Sequence, residues 1–305
     1  MKVFLTGGTG FVGREIARSL NASGHSVTCL VRNPGAKAGC DLKASPGIAI
    51  VPGDVTAKNS LAGLLQGMDA VIHLVGIISE VGASTFENVH TVGTKNVVEA
   101  AREQGVRRVI FMSALGTRPN AVSRYHQTKW AAEEFVRQSG LEFTIFRPSL
   151  IYGAEDKFVN LFAKIIRLSP IVPLLGRAAA RFQPVSVEAV AGAFTGALTE
   201  TRAIGQTYDL TGPETFTLAE MVDQISLALH KRRLKVRVPG FIARVQALIL
   251  GIIYRGLLSK APPLNRDQLL MLEEDNVGNG RPANELFALR HPGFREGISR
   301  QLETR

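Results

Sequence analysis

A tyrosine and a lysine lie four positions apart in the sequence YHQTK, residues 125–129. Residues four apart share one face of a helix. A phenol beside a fixed ammonium has its phenolate stabilised, so we expect Lys129 to lower the pKa of Tyr125. Such a phenol can exchange a proton with a carbonyl or an alcohol while hydride moves. Ser113, 12 positions before Tyr125 at the end of an apolar run, can hydrogen-bond the same substrate oxygen.

A glycine-rich segment, VFLTGGTGFVG at residues 3–13, follows the first apolar run. Gly7 permits a sharp turn, Gly10 lets a pyrophosphate approach the backbone, and Gly13 allows close packing of helix on strand. Free amides at the helix start then face the anionic pyrophosphate. We predict a dinucleotide site here, with a mere packing turn as the alternative. The residues expected to contact the dinucleotide at this turn are Gly7, Thr9, Gly10, Phe11, Val12 and Gly13.

The end of the second predicted strand bears on the choice of nucleotide. An acidic residue there would hold the adenosine ribose hydroxyls and favour NAD. The sequence is instead LVRN at residues 30–33, where Arg32 offers a planar cation suited to a 2′-phosphate. NADP(H) is therefore preferred, and the alternative is NAD(H) beside a solvated arginine.

The third and fourth predicted strands end in further candidate contacts. Asp54, followed by Val55, is placed to accept a hydrogen bond from the adenine amino group, or alternatively to cap the next helix. Leu74, Val75 and Gly76 end the fourth strand, so we expect their backbone to pass beside the nucleotide at the carboxyl edge of the sheet.

Short apolar runs alternate with segments of helical period, which predicts a parallel sheet with helices on its faces. The predicted strands are Lys2–Thr6, Ser26–Val31, Ile48–Val51, Ala70–Val75, Arg108–Met112 and Glu142–Phe146, with helices at Phe11–Ser23, Ser60–Gln66, Phe86–Gln104 and Ser123–Ser139. Later helices are predicted at Lys157–Leu168, Val187–Leu198, Leu218–His230, Pro239–Leu258 and Asn265–Leu272, with strands at Gln206–Leu210 and Leu234–Val238. We therefore predict a Rossmann-type, doubly wound α/β core over residues 1–152. A smaller, mostly helical C-terminal lobe over 153–305 would hold substrate or a partner, interleaved with the sheet edge.

The chain has 305 residues and a formal net charge of +10. Such a charge attracts nucleic acid, anionic membranes or phosphorylated ligands, but the one tight basic cluster, residues 231–233, has no interleaved aromatic platform, so no nucleic-acid partner is expected. Cys29 and Cys40 match no zinc or redox spacing, and no metal site is predicted. The first apolar run ends at Gly7, which does not resemble a signal peptide, and we expect a cytoplasmic protein.

Residues 236–258 are unusually apolar, but Arg244 and Arg255 interrupt them and make them a poor membrane-spanning segment. The favoured interpretation is a buried helix of the C-terminal lobe that covers the substrate pocket. The alternatives are an interfacial helix on the inner face of a membrane, or a wall of a lipid-like or quinone-like substrate site. Basic residues within 232–237 would favour an anionic lipid surface.

The glycine turn, the GDV sequence at 53–55, the serine after strand five and the YxxxK pattern together resemble the short-chain dehydrogenase/reductase superfamily. That resemblance implies that Tyr125 is the acid/base, that Lys129 orients the nicotinamide ribose and tunes Tyr125, and that Ser113 steadies the substrate oxygen. The sequence RPSLIYG at 147–153 resembles the segment that passes the nicotinamide in atypical and extended, epimerase/dehydratase-like members. It implies cofactor contacts from the residues at two of its positions, Pro148 and Ile151.

Later segments resemble one branch of this superfamily, that of the NAD(P)H-binding accessory subunit of respiratory complex I. These segments are residues 184–191, 212–214, 267–268 and 274–277. Some members of that branch bind nucleotide without known turnover. We therefore expect either an oxidoreductase (or epimerase/dehydratase relative) acting on a carbonyl or alcohol of a sugar-nucleotide-like or quinone-like substrate, or a non-catalytic nucleotide-binding protein of a respiratory or quinone-related membrane complex. A redox sensor is a third, weaker hypothesis. His90 stands where many relatives carry an asparagine that supports the active-site backbone.

Overall fold

The computed structural model describes residues 1–240, 242, 254 and 265–303. Within them the strands are β1 Lys2–Thr6, β2 Ser26–Val31, β3 Ile48–Pro52, β4 Ala70–His73, β5 Arg108–Met112, β6 Glu142–Pro148, β7 Ile151–Tyr152, β8 Ile171–Leu174, β9 Arg181–Phe182, β10 Val185–Ser186, β11 Gln206–Leu210, β12 Phe216–Thr217 and β13 Leu234–Arg237. The α-helices are α1 Phe11–Ala22, α2 Lys37–Lys43, α3 Gly93–Glu103, α4 Arg124–Arg137, α5 Phe158–Leu168, α6 Val187–Gly196, α7 Leu218–Ala228, α8 Arg266–Glu273, α9 Arg281–Leu286 and α10 Phe294–Glu303. Turns of 3₁₀ helix lie at Lys58–Leu61 and Thr201–Ala203, and a π-helical segment at Glu87–Val92 leads into α3.

Seven parallel strands form the central sheet in the order β3-β2-β1-β4-β5-β6-β11. The chain order reverses at β1, because β2 and β3 lie on one side of it and β4 to β6 on the other. The loops that leave β1 and β4 therefore diverge, and the carboxyl ends of these two strands are the place where doubly wound sheets bind their ligands. The predicted Rossmann-type fold class is confirmed.

The sheet is buried on both faces because its strands are apolar at consecutive positions. Along β1, Val3 and Leu5 pack with Ile16 of α1 and with α6, whereas Phe4 points to the opposite layer with Val97 of α3. Val3, Leu5 and Ile16 belong to one core cluster, and Phe4 and Val97 belong to another. All five side chains are fully buried. The tight layers fix the carboxyl ends of the strands relative to α1 and α4, which carry the candidate site.

The C-terminal part has its own core of mostly helical elements. Phe162 and Ile166 of α5, Met221 and Ile225 of α7 and Ile298 of α10 pack together there. One strand from this half, β11, crosses to the central sheet and pairs with β6. The C-terminal half is thereby joined to the sheet at β6, a strand that packs against α4.

The predicted elements differ from the structure in several places. The helix predicted over Ser60–Gln66 is wrong: a 3₁₀ helix ends at Leu61, and Gly63 adopts a left-handed backbone (φ 73°) that a helix cannot continue. The strand predicted to Val75 ends at His73. Sequence periodicity missed the ten-residue helix α10 and several elements of seven residues or fewer, namely α2, α9, β7 to β10 and β12. The helix predicted over Pro239–Leu258 lies almost wholly outside the described residues.

Candidate active site

The glycine turn after β1 is built on a left-handed glycine and on two close approaches to its carbonyl oxygen. Gly7 has a positive φ of 82°, and its carbonyl oxygen accepts a hydrogen bond from the amide of Gly10 over 3.0 Å. A Cβ added at Gly13 would lie 2.1 Å from that same carbonyl oxygen, so no larger residue fits. The turn therefore needs glycine at Gly7 for its conformation and at Gly13 for its packing.

The N-terminus of α1 is open to an anion. Gly10 is its N-cap, no side chain caps the helix, and its first turn carries no acidic residue. The amides of Phe11, Val12 and Gly13 precede the first helical hydrogen bond, which runs from Arg14 to Gly10. A Cβ at Gly10 would meet only the Gly7 oxygen, at 3.3 Å, so the face beside it is open. These donors and this space fit the pyrophosphate of a dinucleotide.

Residues 74–76 follow β4 directly. The amide of Leu74 donates to the carbonyl oxygen of Thr6 over 3.2 Å, which carries the chain past the end of β1. A Cβ at Gly7 would lie 3.2 Å from the Cβ of Leu74 and 3.3 Å from the nitrogen of Val75. The structure thus brings Leu74 and Val75 against the glycine turn, as the sequence predicted; half-buried Thr9 lies in the turn itself.

Arg32 and Asp54 follow β2 and β3 on the far side of β1. Arg32 is exposed directly after the end of β2. One carboxylate oxygen of Asp54 accepts from both the amide and the hydroxyl of Thr56, each over 2.9 Å, so Asp54 caps this turn. The carbonyl oxygen of buried Val55 accepts from Asn96 over 2.8 Å, which ties the turn to α3. Contacts of Arg32 and Asp54 with a nucleotide stay predictions.

Lys129 is held inside the protein at the carboxyl end of β5. Its side chain is 2% exposed, and its ammonium donates to the carbonyl oxygen of Met112 over 3.0 Å. The ammonium also lies 5.1 Å from the ring centroid of Phe111. Burial lowers the pKa of Lys129 to about 8. A cation is thus fixed one residue before Ser113, with an acidity that is tuned by its surroundings.

Tyr125 precedes Lys129 by one turn of α4, and its ring lies among other aromatic rings. It makes edge contacts with His90 at 5.2 Å and with Phe86 at 6.0 Å between ring centroids. Burial raises the pKa of Tyr125 to about 12. The expectation that Lys129 lowers this pKa is therefore wrong for the protein as it stands, because desolvation of the phenolate outweighs the ammonium, which is turned toward Met112.

Ser113 is buried just beyond the end of β5. Its amide donates to the carbonyl oxygen of Phe146 over 2.7 Å, which fixes the backbone. Its hydroxyl makes only a long contact, 3.4 Å, with the hydroxyl of Thr117. A hydroxyl held this loosely can turn to a better acceptor, as the role predicted for Ser113 requires.

His90 supports the backbone of the site from the π-helical segment, a kind of helix distortion common at functional sites. The hydroxyl of Thr128 donates to carbonyl oxygens of its own helix over 3.0 Å, so it accepts from Nδ1 of His90 over 2.9 Å. Nε2 of His90 then accepts from the amide of Ile77 over 3.0 Å. Burial lowers the pKa of His90 to about 2, so the ring is neutral. This histidine thus hydrogen-bonds the backbone of Ile77 in the loop after β4.

Gly76 lies between the two groups just described. A Cβ at this position would lie 3.1 Å from Nζ of Lys129 and 3.6 Å from Nε2 of His90. A side chain at Gly76 would therefore press on Nζ of Lys129, which would have to shift by a few tenths of an ångström. The sequence pattern did not indicate this preference for a small residue at the predicted site position Gly76.

The segment after β6 also reaches the glycine turn. The carbonyl oxygen of buried Pro148 accepts from the amide of Leu115 over 2.9 Å. Ile151 begins β7, and a Cβ at Gly153 would lie 2.9 Å from the ring of Phe11 at the start of α1. The segment that contains the predicted residues Pro148 and Ile151 therefore contacts both the loop after β5 and the start of α1 beside the glycine turn.

Contacts of the C-terminal segment with the loops around the candidate site were not predicted from the sequence. Asn265 donates to the carbonyl oxygen of Ile78 over 2.7 Å, and Asp267 accepts from the amide of Arg124 over 2.8 Å. Further along, Glu274 pairs with Arg118 at 2.5 Å. Residues 265–274 therefore bind the loops after both β4 and β5. No motif beyond the later family segments could have indicated these contacts.

His126, the neighbour of Tyr125 in α4, is another feature that the sequence did not single out. Its ring is 3% exposed and packs 3.2 Å from where a Cβ of Gly116 would lie. Nδ1 is 3.0 Å from the hydroxyl of Ser123, the ring interacts with the backbone of Leu115, and burial lowers its pKa.

The glycine turn, the divergent loops and the buried lysine agree with a sequence model for NAD(P)H-binding proteins, which matches residues 7–161. The chain belongs to this NAD(P)H-binding family. Its resemblance to the complex I accessory subunit and to epimerase/dehydratase folds is confirmed by the relatives below.

Two curated relatives and one solved structure illustrate the range of similar proteins. The mitochondrial NADH dehydrogenase [ubiquinone] 1 alpha subcomplex subunit 9 of Arabidopsis thaliana is 30% identical over 277 residues, covering 89% of this chain and 68% of the relative. The ceramide reductase of Caulobacter vibrioides is 34% identical over 177 residues, covering 57% and 54%. The UDP-glucose 4-epimerase of Thermotoga maritima has the same fold, with a TM-score of 0.77 at 16% identity over 99% of this chain and 98% of that one.

No helix among the described residues is both long enough and apolar enough to cross a bilayer. Most of the apolar stretch 236–258 lies outside those residues, so its predicted role as a pocket cover or an interfacial helix stays open.

Proposed function

We propose that this protein is an NADP(H)-dependent oxidoreductase that acts on a carbonyl or alcohol group of an apolar, lipid-like or quinone-like substrate. The observation that carries the proposal is the buried ammonium of Lys129, held at the carboxyl end of β5 one turn from Tyr125. Burying a cation without an ion pair costs stability, and strongly shifted pKa values of buried groups cluster at functional sites.

The residues divide the reaction between them. NADPH supplies hydride when it is bound. Tyr125, with a pKa of about 12, is protonated at neutral pH and donates its proton to the substrate oxygen as the carbonyl is reduced. The hydroxyl of Ser113 donates a hydrogen bond to the same oxygen, and the ammonium of Lys129 is available to the ribose and to the phenolate that forms.

The preference for NADP(H) is supported by charge at the end of β2. Arg32 is exposed there, and no acidic residue stands between β2 and Lys37, a second exposed cation. A 2′-phosphate would gain charge-assisted hydrogen bonds from the guanidinium, while NAD would lack the carboxylate that holds its ribose hydroxyls.

An apolar substrate is supported by the rim of the site. Ile78 after β4 is 45% exposed and Val122 before α4 is 60% exposed. The name of the ceramide reductase relative denotes a lipid substrate for that protein, which agrees with this rim.

The proposal is tested by following nicotinamide absorbance with NADPH and a panel of long-chain ketones and quinones. We expect Tyr125→Phe to lower turnover by about 10²–10⁴-fold without weakening NADPH binding, since only the proton donor is removed. Tyr208→Phe, at a half-buried tyrosine of β11 that packs on Phe146 and Phe287, is the matched control. Nucleotide binding without turnover of any panel member, or equal turnover by Tyr125→Phe, would overturn the proposal.

The second candidate is a non-catalytic NAD(P)H-binding protein on the inner face of a membrane, attached to a respiratory or quinone-related complex. The similarity to subunit 9 of the plant NADH dehydrogenase over 89% of this chain favours it. Bound nucleotide would then stabilise the fold by mass action and turn over little. Co-purification with membrane-complex subunits, together with absence of turnover in the panel, would support this candidate.

A further inference from the structure

The two longest stretches of the chain without an acidic residue lie in its C-terminal half. Residues 157–187 carry five lysines and arginines, and residues 224–266 carry nine. The rest of the chain has 22 basic and 26 acidic side chains, so the whole positive excess of the protein comes from these two stretches. They are separated in sequence by more than 30 residues, and only folding can combine them.

The tertiary structure joins the two acid-free stretches edge to edge. Strand β8 of the first pairs in parallel with β13 of the second, with Ile171 opposite Leu234. Nε of Arg233 donates to the carbonyl oxygen of Ile166 over 2.7 Å, and Nζ of Lys231 caps the end of α5 through Arg167 over 3.3 Å. The basic surface is therefore held in place by α5 and β8.

One face of this two-stranded ribbon is apolar and exposed. Alternate residues of a strand face opposite sides, and Val172 is fully buried on the inner side. On the outer side Leu234 is 64% exposed, and Leu168, at the end of α5, is 75% exposed. We name as the ribbon face the exposed residues Leu168, Ile171, Pro173, Leu234 and Val236.

Exposed cations flank the ribbon face. Arg232 precedes β13 and Arg237 ends it; both are exposed at the edges of the ribbon face, and neither makes an ion pair among the described residues. Lys235, on the same side of the strand as Arg237 but not at its end, pairs with Asp223 at 2.6 Å. Aliphatic side chains surrounded by unpaired cations are typical of surfaces that insert between anionic lipid headgroups.

We propose that the ribbon face docks on an anionic lipid bilayer. The aliphatic residues enter the headgroup boundary, and Arg232 and Arg237 bind the lipid phosphates. A second copy of this face is disfavoured because both copies carry the same charge. Nucleic acid is disfavoured because the face is aliphatic and offers no ring on which a base can stack. This proposal does not depend on turnover, so it stands or falls separately from the proposed function.

The test is co-sedimentation of the full chain with vesicles of phosphatidylcholine alone or mixed with phosphatidylglycerol, at low and high salt. We expect pelleting with the anionic vesicles that weakens with salt. Arg232→Glu/Arg237→Glu is expected to lower partitioning by about tenfold or more. The control Arg107→Glu/Arg290→Glu changes the net charge equally at exposed sites elsewhere, and should retain binding.

The apolar part is tested by Leu234→Ser/Val236→Ser, with Phe135→Ser, a partly exposed position on α4, as its control. Unchanged NADPH binding and thermal unfolding establish that each variant is folded. Equal binding to both vesicle types, loss of binding by the controls alone, or retained binding by both ribbon variants would overturn the proposal. Two other outcomes would overturn it if the protein does not bind vesicles. They are tight binding of single-stranded RNA, or a concentration-dependent dimer, in either case abolished by the ribbon variants.

Discussion

The ammonium of Lys129 lies 3.0 Å from the carbonyl oxygen of Met112, the last residue of β5. No salt bridge to Lys129 occurs within the described residues, and burial lowers its pKa to about 8 from an ordinary value of 10.5. The folded protein therefore loses stability by keeping a charged lysine at this place. That loss is understandable if the charge acts on a ligand.

Replacing this lysine should stabilise the protein. Lys129→Met keeps a long flexible side chain and removes the buried charge, so we expect the free energy of unfolding at pH 7 to rise by about 1–3 kcal/mol. Urea unfolding measures this change. Turnover with NADPH should be lost in the same variant. A variant less stable than the parent would show that the ammonium stabilises the fold.

The same lysine predicts a dependence of stability on alkaline pH. Between about pH 8 and 10.5 the unfolded chain keeps the Lys129 proton that the folded chain has released. The unfolded state binds more protons in this window, so stability should rise with pH there. Lys129→Met should lack this rise when both proteins are unfolded in urea across the window.

The two glycines of the phosphate turn should separate packing from binding. Gly13→Ala places a Cβ 2.1 Å from the oxygen of Gly7 and should destabilise the fold by about 1–3 kcal/mol. Gly10→Ala meets no atom closer than 3.3 Å, so it should cost about 1 kcal/mol or less. It should nevertheless weaken NADPH binding at least tenfold, because the methyl group occupies the space of the pyrophosphate. Thermal unfolding and fluorescence titration read the two effects; equal behaviour of the two variants would contradict them.

Arg32 should determine the choice between nucleotides. Arg32→Ser removes the cation that we assign to the 2′-phosphate, and NADPH affinity should fall by roughly 10–100-fold with little change for NADH. Arg107→Ser, another exposed arginine, is the matched control. If both nucleotides weaken together in calorimetric titrations, Arg32 contacts a part that they share.

His90 predicts sensitivity to acid. His73, between the hydroxyls of Thr6 and Thr94, is also buried and neutral, with a pKa of about 3. Below pH 6.5 the unfolded chain takes up protons that these folded rings refuse, so stability should fall as pH drops from 6.5 toward 3. His90→Asn should reduce that slope by about 1.4 kcal/mol per pH unit.

A control variant separates this titration from the hydrogen bond. His90→Ala leaves the amide of Ile77 and the hydroxyl of Thr128 without their partner and should cost about 1–3 kcal/mol at every pH. His90→Asn should retain more stability at pH 7 than His90→Ala. Equal stability of the two would show that the backbone of Ile77 does not depend on this contact.

Sequence patterns identified the central sheet well because its strands are apolar at successive positions. The first six strands were located within two residues at each end, and the helix starts at Phe11 and near Ser123 were also found. Prediction failed where local conformation overrides apolar spacing, as at Gly63, whose left-handed backbone ends a short 3₁₀ segment. It also failed for short C-terminal strands of two to four residues, which carry too few positions to show a period.

For the candidate site, spacing identified which residue types belong together but not what their surroundings do to them. Tyr125 and Lys129 lie four residues apart in α4, so they share a helix face as expected, whereas their joint catalytic role stays a prediction. The direction of the Tyr125 pKa shift was predicted wrongly. The burial of the Tyr125 ring depends on Phe86 and His90, which come from another helix.

The sequence by itself determined the glycine turn, the order of strands and helices and the candidate acid–base residues, since each depends on neighbours a few positions away. Only the tertiary structure decided which groups are desolvated, which loops the C-terminal segment covers, and that two distant acid-free stretches form one basic, apolar surface. Those properties arise from contacts between residues far apart in the chain, and local spacing carries no information about them.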